Sequence, residues 1–258
     1  MAPVLVFDIE TVPDIEGLRR LYDLGPELGA ADIAEMAFQR RRQTTGNDFL
    51  PLHLHRVVAI ACALRDRESF RVWSLGGLNE PEAELIRRFF DGIEKYTPQI
   101  VSWNGGGFDL PVLHYRGLVH GIRAPRYWEL GEDDRDFKWN NYVNRYHTRH
   151  LDLMDILSLY QGRAAVPLDE LARLMGFPGK MGMDGSQVWG AYQKGEIAAI
   201  RNYCETDVAN TYLVFLGFQL MKGVFSEEEF RRESEFVRGT LEKSDEAHWK
   251  EFLSRWAR

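Results

Sequence analysis

Residues 4–11 read VLVFDIET. So dense a run of Val, Leu and Phe is the mark of a buried strand, yet it closes on two carboxylates, Asp8 and Glu10, separated only by Ile9. Side chains two apart on a strand share a face, so Asp8 and Glu10 project together while Ile9 faces the other way. Carboxylates this close repel and raise one another's pKa unless a cation sits between them, and hard oxygen donors suit Mg²⁺ or Mn²⁺. A strand end that tolerates the pair most simply holds a metal there.

The rest of the chain supplies layers to cover such a strand. After Pro13 comes a polar, helix-like insertion, about residues 13–52, containing EGLRRLYDL and DIAEMAFQRRRQ. RVVAIACALR (56–65) and SFRVWSL (69–75) flank the turn-like 66–68 and predict an antiparallel hairpin. A helix follows, with Asn79 as its cap, Pro81 in its first turn, and Leu85, Ile86, Phe89, Phe90 and Ile93 at helical spacing. QIVSW reads as another buried strand, closed by the glycine-rich NGGGFD, and DLPVLHYRGLVHGI resumes as a helix ending near Gly121. Residues 125–148 are irregular and aromatic; HLDLMDILSLYQ and PLDELARLMG read as helices. From Glu196 to about Met221, Ile197, Ile200, Cys204, Val208, Thr211 and Phe215 lie on one helical stripe, and the tail has helical period. Strands and helices in this order make a mixed α/β layer architecture.

At 258 residues and 45% apolar content the chain can bury a full core. No run approaches the roughly 18 uninterrupted apolar residues of a membrane span, and the N-terminus lacks the basic and apolar regions of a signal peptide, so a soluble cytoplasmic protein with no membrane contact is expected. Cys62 and Cys204 have no CxxC spacing and read as small core residues. A net charge of −7 excludes nucleic-acid binding by overall basicity and leaves only local patches.

Two further acids draw attention. Asp109 follows a strand and three glycines, which allow close approach of backbone or ligand; it reads as a ligand or as a helix N-cap. In YCETDVANTY, Tyr203 and Asp207 are four apart and share a helix face.

Taken in order, FDIET, NGGGFDLP and YCETD resemble the three motifs of the DEDD superfamily of 3′→5′ exonucleases. The resemblance is closest to the proofreading domain of family B DNA polymerases and to the stand-alone exonucleases related to it, and spans roughly residues 4–222. It implies an RNase H-like mixed sheet, the first three strands antiparallel and the rest parallel, flanked by helices. The exonuclease domain would occupy residues 1–225, with the helical insertion inside it and residues 226–258 as a C-terminal helical extension packed on it. Asp8, Glu10, Asp109 and Asp207 would be the metal-binding acids. Tyr203, four before the last acid, marks the tyrosine subclass and would orient the attacking water. Two divalent ions, Mg²⁺ or Mn²⁺, are implied, one held by Asp8, Glu10 and Asp207 and the other by Asp8 and Asp109. Tyrosine is a poor base at neutral pH, which favours positioning over proton abstraction. The expected reaction is release of nucleoside 5′-monophosphates from single-stranded 3′ ends, DNA favoured, with DNA repair as context. The rival readings are an exoribonuclease, a phosphatase or nucleotidase, and an inactive binding module; against the last, all four acids and the tyrosine are present. No protein partner is named by the sequence.

For the strand itself, three basic stretches qualify: Arg116, Arg123 and Arg126; the RRRQ of 40–43; and Arg135, Lys138, Arg145 and Arg149 interleaved with Phe137, Trp139, Tyr142 and Tyr146. The last mixture suits bases that stack while phosphates meet cations. Thr11, Asn104, Phe108, Arg145, Tyr146 and Arg149 are the expected substrate contacts, although Phe108 reads more readily as a core ring. His53 and His55 read as surface or core histidines, and Asp152 and Asp155 as helix-start acids, with Asp152 able to support the site.

Overall fold

The computed structural model describes residues 3–257. Val4–Pro13 is β1, and the insertion folds as α1 (Ile15–Leu21) and α2 (Ala30–Thr45) before the hairpin of β2 (His55–Asp66) and β3 (Ser69–Ser74). Then come α3 (Glu82–Tyr96), β4 (Gln99–Ser102) and α4 (Asp109–His120), and, after an irregular stretch, β5 (His150–Asp152) and α5 (Leu153–Leu157). The chain ends with α6 (Leu168–Leu174), α7 (Val188–Gln193), α8 (Ile197–Met221), α9 (Glu227–Leu241) and α10 (Ala247–Arg255).

The sheet order is β3-β2-β1-β4-β5. β1 pairs antiparallel with β2, and β2 with β3; β4 runs parallel to β1, and β5 to β4. This is the RNase H-like α/β arrangement. β1 is central, so both its faces are covered, which is why it reads as a continuous apolar run rather than an alternation. Leu5, Phe7 and Ile9 pack toward α3 and α4 with Phe89, Ile86 and Leu113. Val4 and Val6 pack on the opposite face with Val208, Tyr212 and Phe215 of α8.

α8 departs from the expected stripe and is buried nearly all round from Tyr203 to Phe218. The sheet takes one side; α6, Val237 and Leu241 of α9, and Trp249 and Phe252 of α10 take the other. A helix covered on both sides has no need of an amphipathic pattern. Each large apolar side chain buried there is worth about 1.5–3 kcal/mol, so the terminal helices help hold α8 against the sheet.

Two local expectations are corrected. HLDLMDILSLYQ is not one helix: its first three residues are β5, in register with Ile100–Ser102, and only Leu153–Leu157 is helical. β4 needs a partner on its free edge, and a three-residue strand cannot be told from a helix turn by periodicity. Asn79 does not cap α3: the N-cap position is Pro81, extended at φ −60° and ψ 145°, with no side-chain cap. Glu82, the first residue of α3, turns inward and accepts the Val57 N–H at 2.7 Å.

Among the described residues no helix is long and apolar enough to cross a membrane.

Candidate active site

The site lies where β1 and β4 end, the edge of an open α/β sheet at which loops diverge and leave a crevice. Asp8 and Glu10 leave β1 on the α8 side, with a bulge immediately after Glu10. Cys204 of α8 places its Sγ 3.4 Å from an Asp8 carboxylate oxygen, and ligand atoms of Asp8, Glu10 and Cys204 lie within 4.8 Å of one another. Asp109 reaches in from the start of α4, where its carboxylate accepts the Ile9 N–H at 3.0 Å. That bond ties the second acid motif to the first across the sheet, and Phe108, not Asp109, holds the N-cap position. Tyr203 and Asp207 stand one turn apart on α8, and the Tyr203 ring is packed among Val12, Ala59, Val188 and Ile200.

The glycine loop is shaped by its neighbours. A Cβ at Gly105 would strike the Ser102 side chain, and one at Gly107 would strike Asn104 Oδ1. Asn104 itself is left-handed, at φ 63°. Asp152, at the end of β5, accepts N–H bonds from Asn104 (3.0 Å) and Gly106 (2.8 Å) and from Asp155 (3.3 Å). It therefore starts α5 and braces the loop that delivers Asp109.

Burial dominates the electrostatics. Glu10, Asp109 and Asp207 are buried and Asp8 is partly open. Asp8 is pushed well above the ordinary carboxylate range by burial and then by Asp109, Glu10 and Asp207, so it feels all three other acids. Glu10 is raised by burial, then Asp207 and Asp109. Burial also lifts Asp109 to about 7 and Asp207 to about 6. Asp207 Oδ1 is buried and makes no hydrogen bond. Asp8 and Glu10 offer hard oxygen donors close together, Asp109 and Asp207 add their charge to both, and the orphaned Asp207 oxygen lacks a partner, a donor set of the kind that suits a divalent ion. The Tyr203 phenol is held far above its ordinary pKa by burial, then by Asp207, Glu10 and Asp8, so it keeps its proton. Burial and Asp8 likewise raise the Cys204 thiol, so this core cysteine is also a neighbour of the first acid.

One cation beside the acids has no counterpart in the sequence motifs. Lys180 sits with Nζ 5.5 Å from the centre of the Tyr203 ring, and its charge lowers the pKa of both Glu10 and Asp207. Its loop is fixed on two sides: the Lys180 N–H donates to Asp169 at 2.7 Å, and Gly179 exchanges two bonds with the Asn210 amide of α8. A lone Lys in the irregular KMGMDG between two helices carries no periodic or spacing signal.

The expected substrate residues separate into three groups. Thr11 Oγ1 lies 2.8 Å from His55 Nδ1, and His55 Nε2 is 3.1 Å from the Leu50 carbonyl. Burial lowers the His55 pKa, so the ring is neutral, Nε2 donates to Leu50 and the Thr11 hydroxyl donates to Nδ1. Phe108 meets His55 edge to face at 5.2 Å, beside the acids. Arg145 pairs with Asp155 at 2.8 Å and lies over Tyr160 and Tyr146, so this cationic and aromatic cluster borders the glycine loop through Asp155. Arg149 is placed elsewhere: it precedes β5, its carbonyl bonds Ile100 at the start of β4, and its guanidinium is stacked 3.9 Å from the Phe137 ring centre. That is the opposite end of the strands from the acids, and Phe137 and Tyr142 are core.

Of the other basic stretches, Arg116 is buried between Glu82 and Asp14 and is unavailable to phosphate. Arg126 pairs with Asp134, and Arg42 with Glu35 and Asp48. His53 is exposed and His55 is buried, with both ring nitrogens of His55 engaged by Thr11 and Leu50.

A protein-family model described as a predicted 3′-5′ exonuclease related to the exonuclease domain of PolB matches residues 47–256. The chain belongs to this family. The matched span includes Asp109, Lys180, Tyr203 and Asp207; Asp8 and Glu10 on β1 precede it. A DNA polymerase 1 from Sulfurisphaera ohwakuensis is 57% identical over 37 residues, which is 14% of this chain and 4% of the polymerase. The chain thus matches only a small part of that relative.

Proposed function

We propose that this protein is a metal-dependent 3′→5′ exonuclease that removes nucleoside 5′-monophosphates from single-stranded ends, with DNA the favoured substrate. The observation that carries it is the convergence of Asp8, Glu10, Asp109 and Asp207, from three separate elements, into one buried cluster with an orphaned carboxylate oxygen. Such a cluster is unfavourable unless something cationic completes it. The preference for DNA is supported by the short match to a DNA polymerase.

Asp8, Glu10 and Asp207 would hold one divalent ion, and Asp8 with Asp109 a second; when bound, the ions would lower the pKa of the attacking water and stabilise charge on the leaving 3′ oxygen. The remaining work belongs to side chains. Tyr203, kept protonated, orients the water by hydrogen bond rather than taking its proton. Lys180 offers positive charge to a phosphoryl group whose oxygens gain negative charge in the transition state. Asp152 keeps the glycine loop, and with it Asp109, in place. The Thr11, Asn104 and Phe108 edge would receive the terminal nucleotide, and the Arg145, Tyr146 and Tyr160 cluster the strand behind it. Aromatic surface beside cations suits unpaired bases. We assign this chemistry to residues 1–225, with residues 226–258 as an extension that packs behind α8.

The test is hydrolysis of a single-stranded oligonucleotide with Mg²⁺ or Mn²⁺. Asp8→Ala abolishes cleavage on this account, whereas Tyr203→Phe leaves a measurable residue; full activity in Asp8→Ala would remove the metal assignment. An RNA oligonucleotide of the same sequence run in parallel decides the sugar preference.

A further inference from the structure

The insertion between β1 and β2 ends in an aromatic side chain that its own fold leaves in water. Leu18, Ile33, Ala37, Leu50 and Leu54 close a small core beneath α1 and α2. Leu50 is 3% exposed, but its neighbour Phe49 is 54% exposed. The Phe49 backbone is nonetheless held: its N–H donates to Asn47 Oδ1 at 3.1 Å and its carbonyl accepts Arg41 Nε at 2.9 Å. Its ring lies 5.2 Å from His55 and 5.7 Å from Phe108, centre to centre. Those two rings belong to the site, His55 through Thr11 and Phe108 as the residue before Asp109. Phe49 therefore extends the aromatic surface of the site outward, and the exposed Arg40 and Arg56 stand on the same insertion and on the adjoining end of β2.

The base of the insertion is fastened at depth. Asp14 caps α1 by accepting the Gly17 N–H at 3.0 Å and is also ion-paired with the buried Arg116, which grips Glu82 of α3. An aromatic ring that is exposed yet already ordered loses little entropy when a flat partner covers it. Bases of an unpaired strand are such partners, and a cation nearby meets the phosphates.

We propose that the helical insertion grips the substrate, and that Phe49 stacks on a base of the single strand upstream of the terminal nucleotide. This rests on the exonuclease reading above and adds to it a requirement for at least two nucleotides. The experiment uses the full chain carrying Asp8→Asn, so that an oligonucleotide binds without being cut. The strand carries 2-aminopurine at its second nucleotide from the 3′ end, whose fluorescence falls when it stacks. With Phe49 present, binding quenches the probe. Phe49→Leu abolishes the quench and weakens binding about fivefold or more, the factor that matches a stack at the lower end of the usual range; Phe49→Tyr retains both. A Leu variant that binds and quenches like its parent overturns the proposal. Cleavage by the Asp8 enzyme with Phe49→Leu binding unchanged removes this inference alone. Quenched binding that depends on Phe49, without cleavage by the Asp8 enzyme, supports it and removes the exonuclease reading.

Discussion

Replacing Asp207 with Asn should stabilise the metal-free protein while destroying its function. In the fold Asp207 titrates at about 6 rather than at 3.8, because burial penalises its charge by more than Lys180 and Tyr203 compensate. The folded pKa is the higher one, so the native state binds more protons between pH 3.8 and 6 and loses stability as pH rises through that window. Above it the ionised carboxylate costs about 3 kcal/mol, at 1.36 kcal/mol per pKa unit. Asn keeps the volume and removes the charge. For a chain of this size each kcal/mol moves the melting temperature by about 2–4 °C, so the variant should melt up to roughly 6–12 °C above wild type in EDTA at pH 8. At pH 5 the gap should narrow as wild-type Asp207 takes up its proton. Mn²⁺ should then raise the wild-type melting temperature more than that of the variant, since the ion relieves the same repulsion. Thermal melts followed by dye fluorescence or circular dichroism suffice. An Asn variant that melts at or below wild type in EDTA at pH 8 refutes the reasoning, because charge crowding would then not be what the metal relieves.

Three other outcomes follow from named contacts. Arg116→Met should cost about 3–5 kcal/mol in denaturant melts, since it strands the carboxylates of Asp14 and Glu82 at side-chain exposures of 8% and 4%. Lys180→Ala should lower kcat/KM by about a hundredfold, the low end of the cost of losing a transition-state charge donor, and lower the melting temperature in EDTA at pH 8, since its charge offsets part of the cost of ionised Glu10 and Asp207; steady-state kinetics on an oligonucleotide reads the first. His150 is held neutral by burial, then by His114, with its pKa lowered to about 4 from 6.5. Its contribution to stability is intact above pH 6.5 and falls by about 3 kcal/mol on acidification toward pH 4, opposite in sign to that of the raised acids, so it is read as the pH-dependent difference between wild type and His150→Gln in urea melts.

The parts of this molecule legible in its sequence are those where a local pattern and a tertiary role coincide. VLVFDIET announces both a central strand and an acid pair, and the glycines before Asp109 are required by the side chains they pass. The hairpin, the insertion and the long α8 follow from apolar runs and turn residues. Features set only by neighbours were not legible. β5 exists because β4 has an open edge, and its three residues run straight into a helix. That register also decides where Arg149 goes: one strand length back from Asp152, it lands at the far end of the sheet. The mixture of cations and aromatics at 135–150 looks like one surface along the sequence, whereas Phe137 and Tyr142 are drawn into the core and Trp139 and Tyr146 stay out. Lys180 reaches the acids only because Asn210 and Asp169 hold its loop, a relation between residues 11 and 30 positions away along the chain.

The most direct test of the central claim is the polarity of degradation. A single-stranded DNA labelled at its 5′ end, incubated with purified protein and Mn²⁺ and sampled over time, should give a ladder shortening one nucleotide at a time from the 3′ end. Ladder formation should stop with EDTA and be absent for Asp8→Ala. Loss of label as a free mononucleotide at the earliest times, internal cuts, or an undiminished ladder in EDTA or with Asp8→Ala would contradict the account.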